Sequence, residues 1–341
     1  MTVVPGMAAA ETGEKPQSAA APFFSVVIPS RNRATLLGEA LDSVLNQSFS
    51  KREIIVVVDG GSAEALEQYR KLEQSQPDVR FYYLVHRENG HGPSYAMNYG
   101  VSQAQGDYVC FLDDDDLWTD PGHLARARAS LEQTQAADLY FSNQEAYRAN
   151  GELVTPNPWI LDLNQWLPPS VYECGSHRVD AEFLLRSNGF AHFNCSIYRT
   201  AFFRGIGGLD ENIRYENDRD LYLRAIDRAE RILLNPAIIA RHRVPDSTRV
   251  SNASTVVSDL QKRIFQLMVY EKGQLFARTE LVRAHCKRAK GYQLKHIAES
   301  LSQQGRYSDA ASYAWEGWSV APTVKWFLKA LQIQLSAGRR R

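Results

Sequence analysis

The stretch Tyr108–Trp118, YVCFLDDDDLW, joins an apolar run to four consecutive aspartates. The run YVCFL has the length and composition of a buried strand. Four adjacent carboxylates repel one another, so a cation is needed to offset their cost in free energy. On extended backbone side chains alternate, and Asp113 and Asp115 then point away from Asp114 and Asp116. A strand that ends in this way predicts a binding site at the edge of a sheet.

The residues upstream alternate apolar runs with amphipathic segments. The apolar runs predict strands, and the segments with apolar residues at helical spacing predict helices. The predicted strands are FFSVVIPS (23–30), REIIVVV (52–58), VRFYYLV (79–85) and DYVCFL (107–112). Their hydrophobicity is continuous, which is typical of a parallel sheet covered by helices on both faces. We therefore predict an α/β fold with a mostly parallel central sheet.

Polar clusters follow three of these strands. They are PSRNR (29–33), DGGS (59–62) and DDDD (113–116). In open α/β sheets, ligands bind beyond the carboxyl ends of the strands. The three clusters together therefore predict one site along one edge of the sheet.

A bound divalent cation accounts best for the four aspartates. Mg²⁺ and Mn²⁺ prefer oxygen ligands, and Mg²⁺ is usually held by one or two carboxylates with water and substrate phosphates. The remaining ligands would come from a diphosphate. The alternative is helix capping, because TDPGHLARARA (119–129) predicts a helix with Asp120 as N-cap and Pro121 at its first position. Capping accounts for Asp120 and leaves the four aspartates unexplained.

Composition divides the chain into unequal parts. It has 341 residues, 44% hydrophobic and 23% charged, as in a soluble globular protein. Residues 1–21 are rich in Ala, Pro, Gly and Ser and predict a disordered lead. Gln261–Arg341 contains 15 Lys and Arg against 5 Asp and Glu, which leaves 24 against 34 of the 39 of each kind for the rest. We therefore predict an acidic body and a basic helical extension over residues 257–341.

The extension ends in GRYSDAASYAWEGWSVAPTVKWFLKALQIQ (305–334), which predicts a helical hairpin. Its aromatic residues either pack the hairpin onto the body or, together with Lys and Arg, contact an anionic membrane surface. The four cysteines include no CxxC pair, so neither a zinc site nor a disulfide framework is predicted. We expect a cytoplasmic protein, with peripheral contact to the inner membrane face left open.

Four segments together resemble the inverting glycosyltransferases of family 2, which have the GT-A fold. They are FSVVIPSRNRATLLGEALDSVLNQSF (24–49), EIIVVVDGGS (53–62), NGHGPSYAMNYGVSQAQGDYVCFLDDDDLW (89–118) and GGLDENIRYENDRDLYLRA (207–225). The resemblance covers roughly residues 24–249. It implies a Rossmann-like nucleotide-sugar-binding domain over residues 22–256.

The resemblance also implies roles for the polar clusters. The residues that lie against the nucleoside would be Pro29, Ser30, Arg31 and Asn32. Asp59 would contact the base, although Gly60 stands where relatives often have a second aspartate. Asp115 would ligate Mg²⁺ or Mn²⁺, and Asp113 or Asp114 would contact the ribose or a metal-bound water. Asp113 and His242 are further candidate metal ligands.

By the same resemblance, Asp218 in NDRDLYLR is the catalytic aspartate. Asn217 replaces the glutamate that relatives have before it, and Glu216 is the carboxylate that would stand in. The alternative for Asp218 is helix capping or an interaction with the helix dipole, because acidic residues are common in first turns. Three further residues are expected near the sugars, His91 at the donor and Asn194 and Ser196 at the acceptor.

The implied function is transfer of a sugar from a nucleotide-diphosphate sugar to a hydroxyl with inversion, in bacterial polysaccharide or glycolipid assembly. The acceptor would be a glycan or a lipid-linked molecule, and we expect no nucleic acid among the partners. The alternative is a non-catalytic scaffold that binds a sugar nucleotide or a glycan. Neither the donor sugar nor the acceptor follows from the sequence.

Overall fold

The computed structural model describes residues 21–134, 137–169, 172–244 and 257–338. All but the last residue of the predicted disordered lead therefore lies outside the described residues, as does the predicted end of the catalytic domain. The described strands are β1 (Phe24–Ser30), β2 (Arg52–Val58), β3 (Val79–Tyr83), β4 (Tyr108–Phe111), β5 (Leu117–Trp118), β6 (Leu139–Tyr147), β7 (His177–Val179), β8 (Ser196–Arg199) and β9 (Ile232–Arg243).

Eleven α-helices lie in these described ranges. They are α1 (Ala34–Leu45), α2 (Ala63–Ser75), α3 (Pro93–Gln103), α4 (His123–Gln133), α5 (Ala181–Leu184), α6 (Thr200–Gly205), α7 (Asn217–Arg228), α8 (Asp259–Phe276), α9 (Glu280–Gln303), α10 (Tyr307–Val320) and α11 (Val324–Gly338). Short 3₁₀ helices span Ile160–Trp166 and Phe193–Cys195.

The sheet has a parallel half and a mixed half. Its strand order is β3-β2-β1-β4-β8-β6-β9-β5, with β7 paired to β9. The four strands predicted from apolar runs form the parallel half, and β1 lies between β2 and β4. Beyond β4, strand β8 runs antiparallel to both of its neighbours, and β6 and β9 are parallel to each other. The predicted α/β class with a GT-A-like sheet is confirmed.

Helices cover both faces of the sheet because β1 is buried on both sides. Val26 and Ile28 pack in one cluster with Leu37 and Leu41 of α1. Val27 points to the other face and packs with residues of α3. Successive side chains of a strand alternate between faces, so a strand covered on both sides must be apolar throughout. This is the pattern from which the fold class was predicted.

The carboxyl ends of the parallel strands and the end of β9 meet at one edge of the sheet. β9 pairs with β5, β6 and β7, and in its register with β5 Arg241 lies opposite Leu117. This pairing brings the next residue, His242, beside the aspartates that follow β4. The edge predicted from three polar clusters thus gains a fourth contributor from a strand more than a hundred residues later.

The predicted capping of α4 is wrong. The helix begins at His123 after Gly122, so Asp120 is not its N-cap and Pro121 is not its first residue. Asp120 Oδ1 instead accepts from the Gly122 amide at 2.8 Å, and its other oxygen pairs with Arg126. The chain is still held to the sheet at Thr119, whose amide donates to Ile239 O at 2.8 Å, so the helix starts later.

The C-terminal helices form one body that is packed against the α/β domain. α8 starts at a capping box in which Ser258 and Gln261 satisfy each other's backbone amides. Val269 and Cys286 belong to the main core, whereas Trp326 and Ile333 belong to a separate helical cluster. The predicted hairpin is confirmed as α10 and α11. Among the described residues, no helix is long and apolar enough to cross a bilayer.

Candidate active site

The four aspartates form a turn between β4 and β5 and do not continue the strand. The amide of Asp116 donates to the carbonyl of Asp113 at 3.1 Å, so the predicted extended backbone is wrong. The reason is that β4 pairs with β1, whereas β5 must reach β9 on the far side of the sheet. The expected division of side chains nevertheless holds. Asp113 and Asp115 line a cavity, whereas Asp114 and Asp116 are fully buried.

Arg33 neutralises two of these carboxylates. Its Nη2 lies 2.5 Å from Asp114 Oδ1, and its Nη1 lies 2.7 Å from Asp115 Oδ2. Asp114 also accepts from Ser30 Oγ at 2.5 Å. Burial nevertheless raises the pKa of Asp114 to about 7. Arg33 lay within the quoted cluster PSRNR without an assigned role, because only its distance to the turn reveals that role.

Asp116 accepts three hydrogen bonds within the protein. Its Oδ2 accepts from Asn194 Nδ2 at 2.6 Å and from His242 Nδ1 at 2.7 Å, and its Oδ1 accepts from the Arg243 amide at 2.7 Å. Burial opposes ionisation, but the positive charge and the hydrogen bond of His242 hold the pKa of Asp116 below its ordinary value. Asp116 therefore positions His242 at the wall of the cavity.

Two histidines of different charge face each other at this wall. The ligand atoms of Asp116, His192 and His242 lie within 4.8 Å of one another. Burial would lower the pKa of His242, but the Asp116 carboxylate raises it to about 9. Burial, and then the charge of His242, lowers the pKa of His192 to about 3. His192 was missed in the sequence, because AHFNC contains no spacing that marks a functional histidine.

Asp218 is the second residue of α7 and lines the same cavity. Burial, followed by the charge of Glu216, raises the pKa of Asp218 to about 7. Its Oδ2 lies 3.9 Å from His192 Nε2. The neighbouring Asn217 donates from Nδ2 to Ser94 Oγ at 3.0 Å and so joins α7 to α3.

Glu216 also lines this cavity, and both of its oxygens are hydrogen-bonded. One oxygen accepts from Arg219 Nε of α7 at 2.5 Å and the other from Gln266 Nε2 of α8 at 2.9 Å. These bonds fix the Glu216 side chain in the cavity wall. The expectation that Glu216 substitutes for the missing carboxylate stays a prediction.

Ser30 and Pro29 are internal parts of the edge where the parallel strands end. Both are buried, and Ser30 Oγ lies 2.7 Å from the Tyr69 hydroxyl in addition to its contact with Asp114. Arg31 Nη2 donates to Glu88 O at 2.8 Å. The bond of Arg31 joins the loop after β1 to the loop before α3. The predicted contacts of this segment with a nucleoside stay predictions.

Asp59 is buried and holds the start of α3. Its two oxygens accept from the amides of His91 and Gly92 at 2.8–2.9 Å. A carboxylate has about four acceptor positions, so capacity remains for a base N–H. The next residue, Gly60, has φ +69°, and an added Cβ would lie 3.3 Å from Arg31 Nη1. The backbone therefore favours glycine where relatives often have aspartate.

Asn32 holds the loop after β1 in place through its backbone conformation and one side-chain hydrogen bond. Its φ is +57°, in the left-handed region that asparagine tolerates better than most residues. Its Oδ1 accepts from the Ser62 amide at 2.9 Å and so joins the loop after β1 to the start of α2.

The residues expected near the sugars do not line the cavity of the aspartates. Asn194 and Ser196 are buried, and Ser196 Oγ donates to His192 O at 2.7 Å. Their predicted place at the acceptor stays a prediction. His91 does not line the cavity of the aspartates, and its ring stacks on Tyr95 at 4.5 Å between centroids. Buried polar side chains near a site are hard to distinguish from ligand contacts in a sequence.

The cavity itself has a volume of about 350 Å³. It brings together the predicted residues Asp113, Asp115, Asp218 and His242 with the unpredicted Arg33. One wall is aromatic, because Trp159 packs on the His242 ring at 5.1 Å between centroids. A cavity with this lining can hold a cation, a phosphate and a polar ring at the carboxyl ends of the strands.

The fold and this carboxylate-lined cavity define a GT-A-type nucleotide-binding α/β domain. Comparisons with known proteins give its family. The model of glycosyl transferase family 2 matches residues 25–206. EpsJ of Bacillus subtilis strain 168, an uncharacterised glycosyltransferase, is 30% identical over 249 residues, 71% of this chain and 67% of that protein. The chain belongs to glycosyl transferase family 2, as its sequence resemblance indicated.

Solved structures share the fold at low identity. Residues 1–349 of S. aureus TarS in complex with UDP match with a TM-score of 0.59 and 20% identity over 88% of this chain and 81% of that one. The chain spans about half of the longer TarS structure, 49%. The mannosyltransferase PcManGT of Pyrobaculum calidifontis, in complex with GDP-Man and Mn²⁺, matches with a TM-score of 0.57 and 17% identity over 96% and 90% of the two chains.

Proposed function

We propose that this protein is a metal-dependent inverting glycosyltransferase that uses a nucleotide-diphosphate sugar. The observation that carries the proposal is the shared cavity of Asp113, Asp115, Asp218 and His242. A carboxylate pair and a histidine provide a donor set suited to Mn²⁺ or Mg²⁺. The complexes of TarS with UDP and of PcManGT with GDP-Man and Mn²⁺ support a donor of this class.

In the proposed site, Asp115, Asp113 and His242 hold the metal. The residues suit a metal, because Asp113, Asp115 and His242 line one cavity. Nδ1 of His242 is bonded to Asp116, and Nε2, which is protonated at a pKa of about 9, would give up its proton to bind the metal. Carboxylates that orient a ligating histidine in this way are common around protein metal sites. When bound, the metal would supply charge that stabilises the leaving diphosphate. Pro29, Ser30, Arg31, Asn32 and Asp59 would shape the nucleoside side, and Asp114 would hold Arg33 in place.

Asp218 is the proposed general base. It accepts the proton of the acceptor hydroxyl while that oxygen bonds to the anomeric carbon and the bond to the diphosphate breaks. A pKa of about 7 suits this task, because about half of the carboxylates are ionised at neutral pH and each retains affinity for a proton. Attack from the face opposite the leaving group inverts the anomeric centre.

The test is a panel of nucleotide sugars incubated with the wild-type protein and Mn²⁺, followed by detection of the released nucleotide diphosphate. We expect hydrolysis or transfer with at least one sugar nucleotide and none after chelation with EDTA. Binding of a sugar nucleotide without turnover on any acceptor would support the alternative of a non-catalytic scaffold. The anomeric product, followed by NMR, tests inversion.

We further propose a glycan or lipid-linked acceptor and peripheral contact with an anionic membrane. The support is an apolar stripe along the last helix. Val324, Leu328, Leu331 and Leu335 recur at helical spacing and are exposed, with relative exposures of 80%, 59%, 40% and 59%. Lys325 and Lys329 flank them on the same helix. An exposed apolar stripe beside basic residues is typical of helices that lie on anionic bilayers.

A further inference from the structure

A second cavity adjoins the catalytic cavity at the junction with the C-terminal helices. Its volume is about 630 Å³, and the residues that line it include Phe190, Arg219, Tyr270, His285, Arg288 and Tyr292. They come from the loop before β8 and from helices α7, α8 and α9. Phe190 lines both cavities, so the two meet at this ring.

The ion pair between Glu216 and Arg219 separates the two cavities. Glu216 lines the catalytic cavity and binds Arg219 and Gln266, which line the second one. The Arg219 guanidinium also lies over the Phe190 ring at 4.3 Å and donates to the Tyr270 hydroxyl at 3.1 Å. Arg219 directly follows Asp218, so the second cavity begins one residue from the proposed base.

The two cavities differ in charge. Four carboxylates line the catalytic cavity, whereas none of the described residues that line the second one is Asp or Glu. Arg219 is neutralised by Glu216. The guanidinium of Arg288 is exposed and has no ion-pair or hydrogen-bond partner among the described residues. Arg288 therefore contributes one positive charge to this cavity that is not neutralised by a carboxylate and can pair with an anionic ligand.

The other lining groups suit a sugar ring. Phe190, Tyr270 and Tyr292 offer aromatic surface, and Asn188 adds an amide. Burial, and then the charges of Arg288 and Arg219, lowers the pKa of His285 to about 4, so this imidazole is neutral and both donates and accepts. Aromatic faces with neutral hydrogen-bonding groups match the apolar and hydroxyl surfaces of a saccharide.

We propose that this cavity is a subsite for the acceptor, and that it selects a saccharide with a negatively charged group, a carboxylate or a phosphate, through Arg288. The inference rests on the proposed function, because it takes the hydroxyl to be glycosylated as lying at Asp218 on the other side of Phe190. The C-terminal extension is then part of the specificity machinery.

The experiment is ligand binding by saturation-transfer NMR to the full chain in EDTA. Chelation removes the metal that the donor site is proposed to need. The probes are methyl glucuronide, glucose 1-phosphate and the uncharged methyl glucoside. Arg288→Gln removes the charge from an exposed position, and Lys287→Gln is the matched control, because Lys287 is exposed on the same helix and does not line the cavity. Arg288→Lys tests whether charge alone suffices.

We expect at least one anionic probe to bind the wild type and the Lys287→Gln variant, with the uncharged glucoside at least about tenfold weaker. Arg288→Gln should lose the anionic preference by about the same factor, and Arg288→Lys should retain part of it. The comparison of glucuronide with glucose 1-phosphate identifies the anion as carboxylate or phosphate. Equal binding of charged and uncharged probes, unchanged binding to Arg288→Gln, or binding of no probe overturns the inference.

Donor hydrolysis by the wild-type protein with Mn²⁺ is measured in parallel. If hydrolysis is present and the anionic preference is absent, only the acceptor subsite is wrong. If hydrolysis is absent with every sugar nucleotide, the proposed function itself fails, whatever the probes do.

Discussion

His242 donates from Nδ1 to Asp116 across 2.7 Å, although the two residues are 126 positions apart in the chain. This bond leaves one ring nitrogen for a metal and fixes the direction of the ring. Asp116, the fourth aspartate, is therefore buried and orients the His242 ring, whereas Asp115 lines the cavity. The four aspartates differ in their contacts because two of them are fully buried and two line the cavity.

The first prediction concerns metal binding. His242→Ala removes one proposed nitrogen ligand and should weaken Mn²⁺ binding by at least roughly 10- to 100-fold, because the loss of an outer-shell partner alone typically costs that much. Titration calorimetry with Mn²⁺ in the presence of a nucleotide diphosphate measures it. Asp115→Ala should abolish metal-dependent nucleotide binding altogether.

The matched controls are a histidine and an aspartate outside the cavity. His296→Ala, on the C-terminal helix α9, and Asp120→Ala, which pairs with Arg126, should bind Mn²⁺ and nucleotide as the wild type does. Unchanged binding in Asp115→Ala would show that the metal site is placed wrongly.

The second prediction concerns the base. Asp218→Asn is nearly isosteric and accepts no proton at neutral pH, so turnover should fall by at least ~100-fold with donor affinity little changed. Because the pKa of Asp218 is raised to about 7, the wild-type rate should fall as the pH drops below about 7 and the carboxylate becomes protonated. The residual rate of Asp218→Asn should lack this dependence.

Glu211→Gln is the control, since Glu211 is an exposed acid outside the cavity. A turnover of Asp218→Asn within a few-fold of the wild type would move the base to another residue. Glu216→Gln, assayed beside it, would then show whether Glu216 takes that role despite its bonds to Arg219 and Gln266.

The third prediction concerns stability. His123 is fully buried, neither ring nitrogen has a hydrogen-bond partner among the described residues, and burial lowers its pKa to about 3. The fold therefore favours the neutral ring. The corresponding stability is present above the ordinary pKa of 6.5 and is lost as the pH falls towards 3.

His123→Phe keeps an aromatic ring and removes this proton linkage. Between pH 7 and pH 5, the free energy of unfolding of the wild type should fall by roughly 2 kcal/mol relative to that of the variant. Urea unfolding followed by tryptophan fluorescence measures both. The exposed His86→Phe serves as control, and parallel pH curves for wild type and His123→Phe would contradict the prediction.

Much of the fold and part of the site followed from the sequence. The strands before Asp113 were predictable because continuous apolar runs have one common solution, a parallel sheet. That Asp115 and Asp218 line one cavity was predictable, because the family motif preserves their spacing. The contacts of Arg33 and His192 were not predictable, because they depend on distances that the sheet creates. The burial of Asn194 was not predictable either, because a polar residue beside a site has the same local sequence whether it faces a ligand or the core.

The fourth prediction concerns the membrane. Full-length protein should co-sediment with vesicles that contain anionic lipid, and binding should weaken as salt rises. Leu328→Glu with Leu335→Glu places charge on the exposed stripe of α11 and should reduce binding strongly. Gln303→Glu is the control, since Gln303 is exposed at the end of α9 and lies off the helix that carries the stripe.

Removal of Arg339, Arg340 and Arg341, which lie outside the described residues, should weaken the same binding. Light scattering without lipid distinguishes this from self-association through the stripe. Protein that stays in the supernatant with anionic vesicles at low salt would leave the tail as a structural element only.

β9 is the last strand of the sheet along the chain, and this has a consequence for biosynthesis. The ribosome makes the aspartate turn first and the strand that carries its partner His242 126 positions later. At roughly 5–20 residues per second, several seconds pass between the two events. During that interval Asp116 has no imidazole beside it, and β5 has no strand to pair with. The edge that carries the aspartates is therefore completed only when the second half of the domain has emerged, well after the four strands of the parallel half have been made.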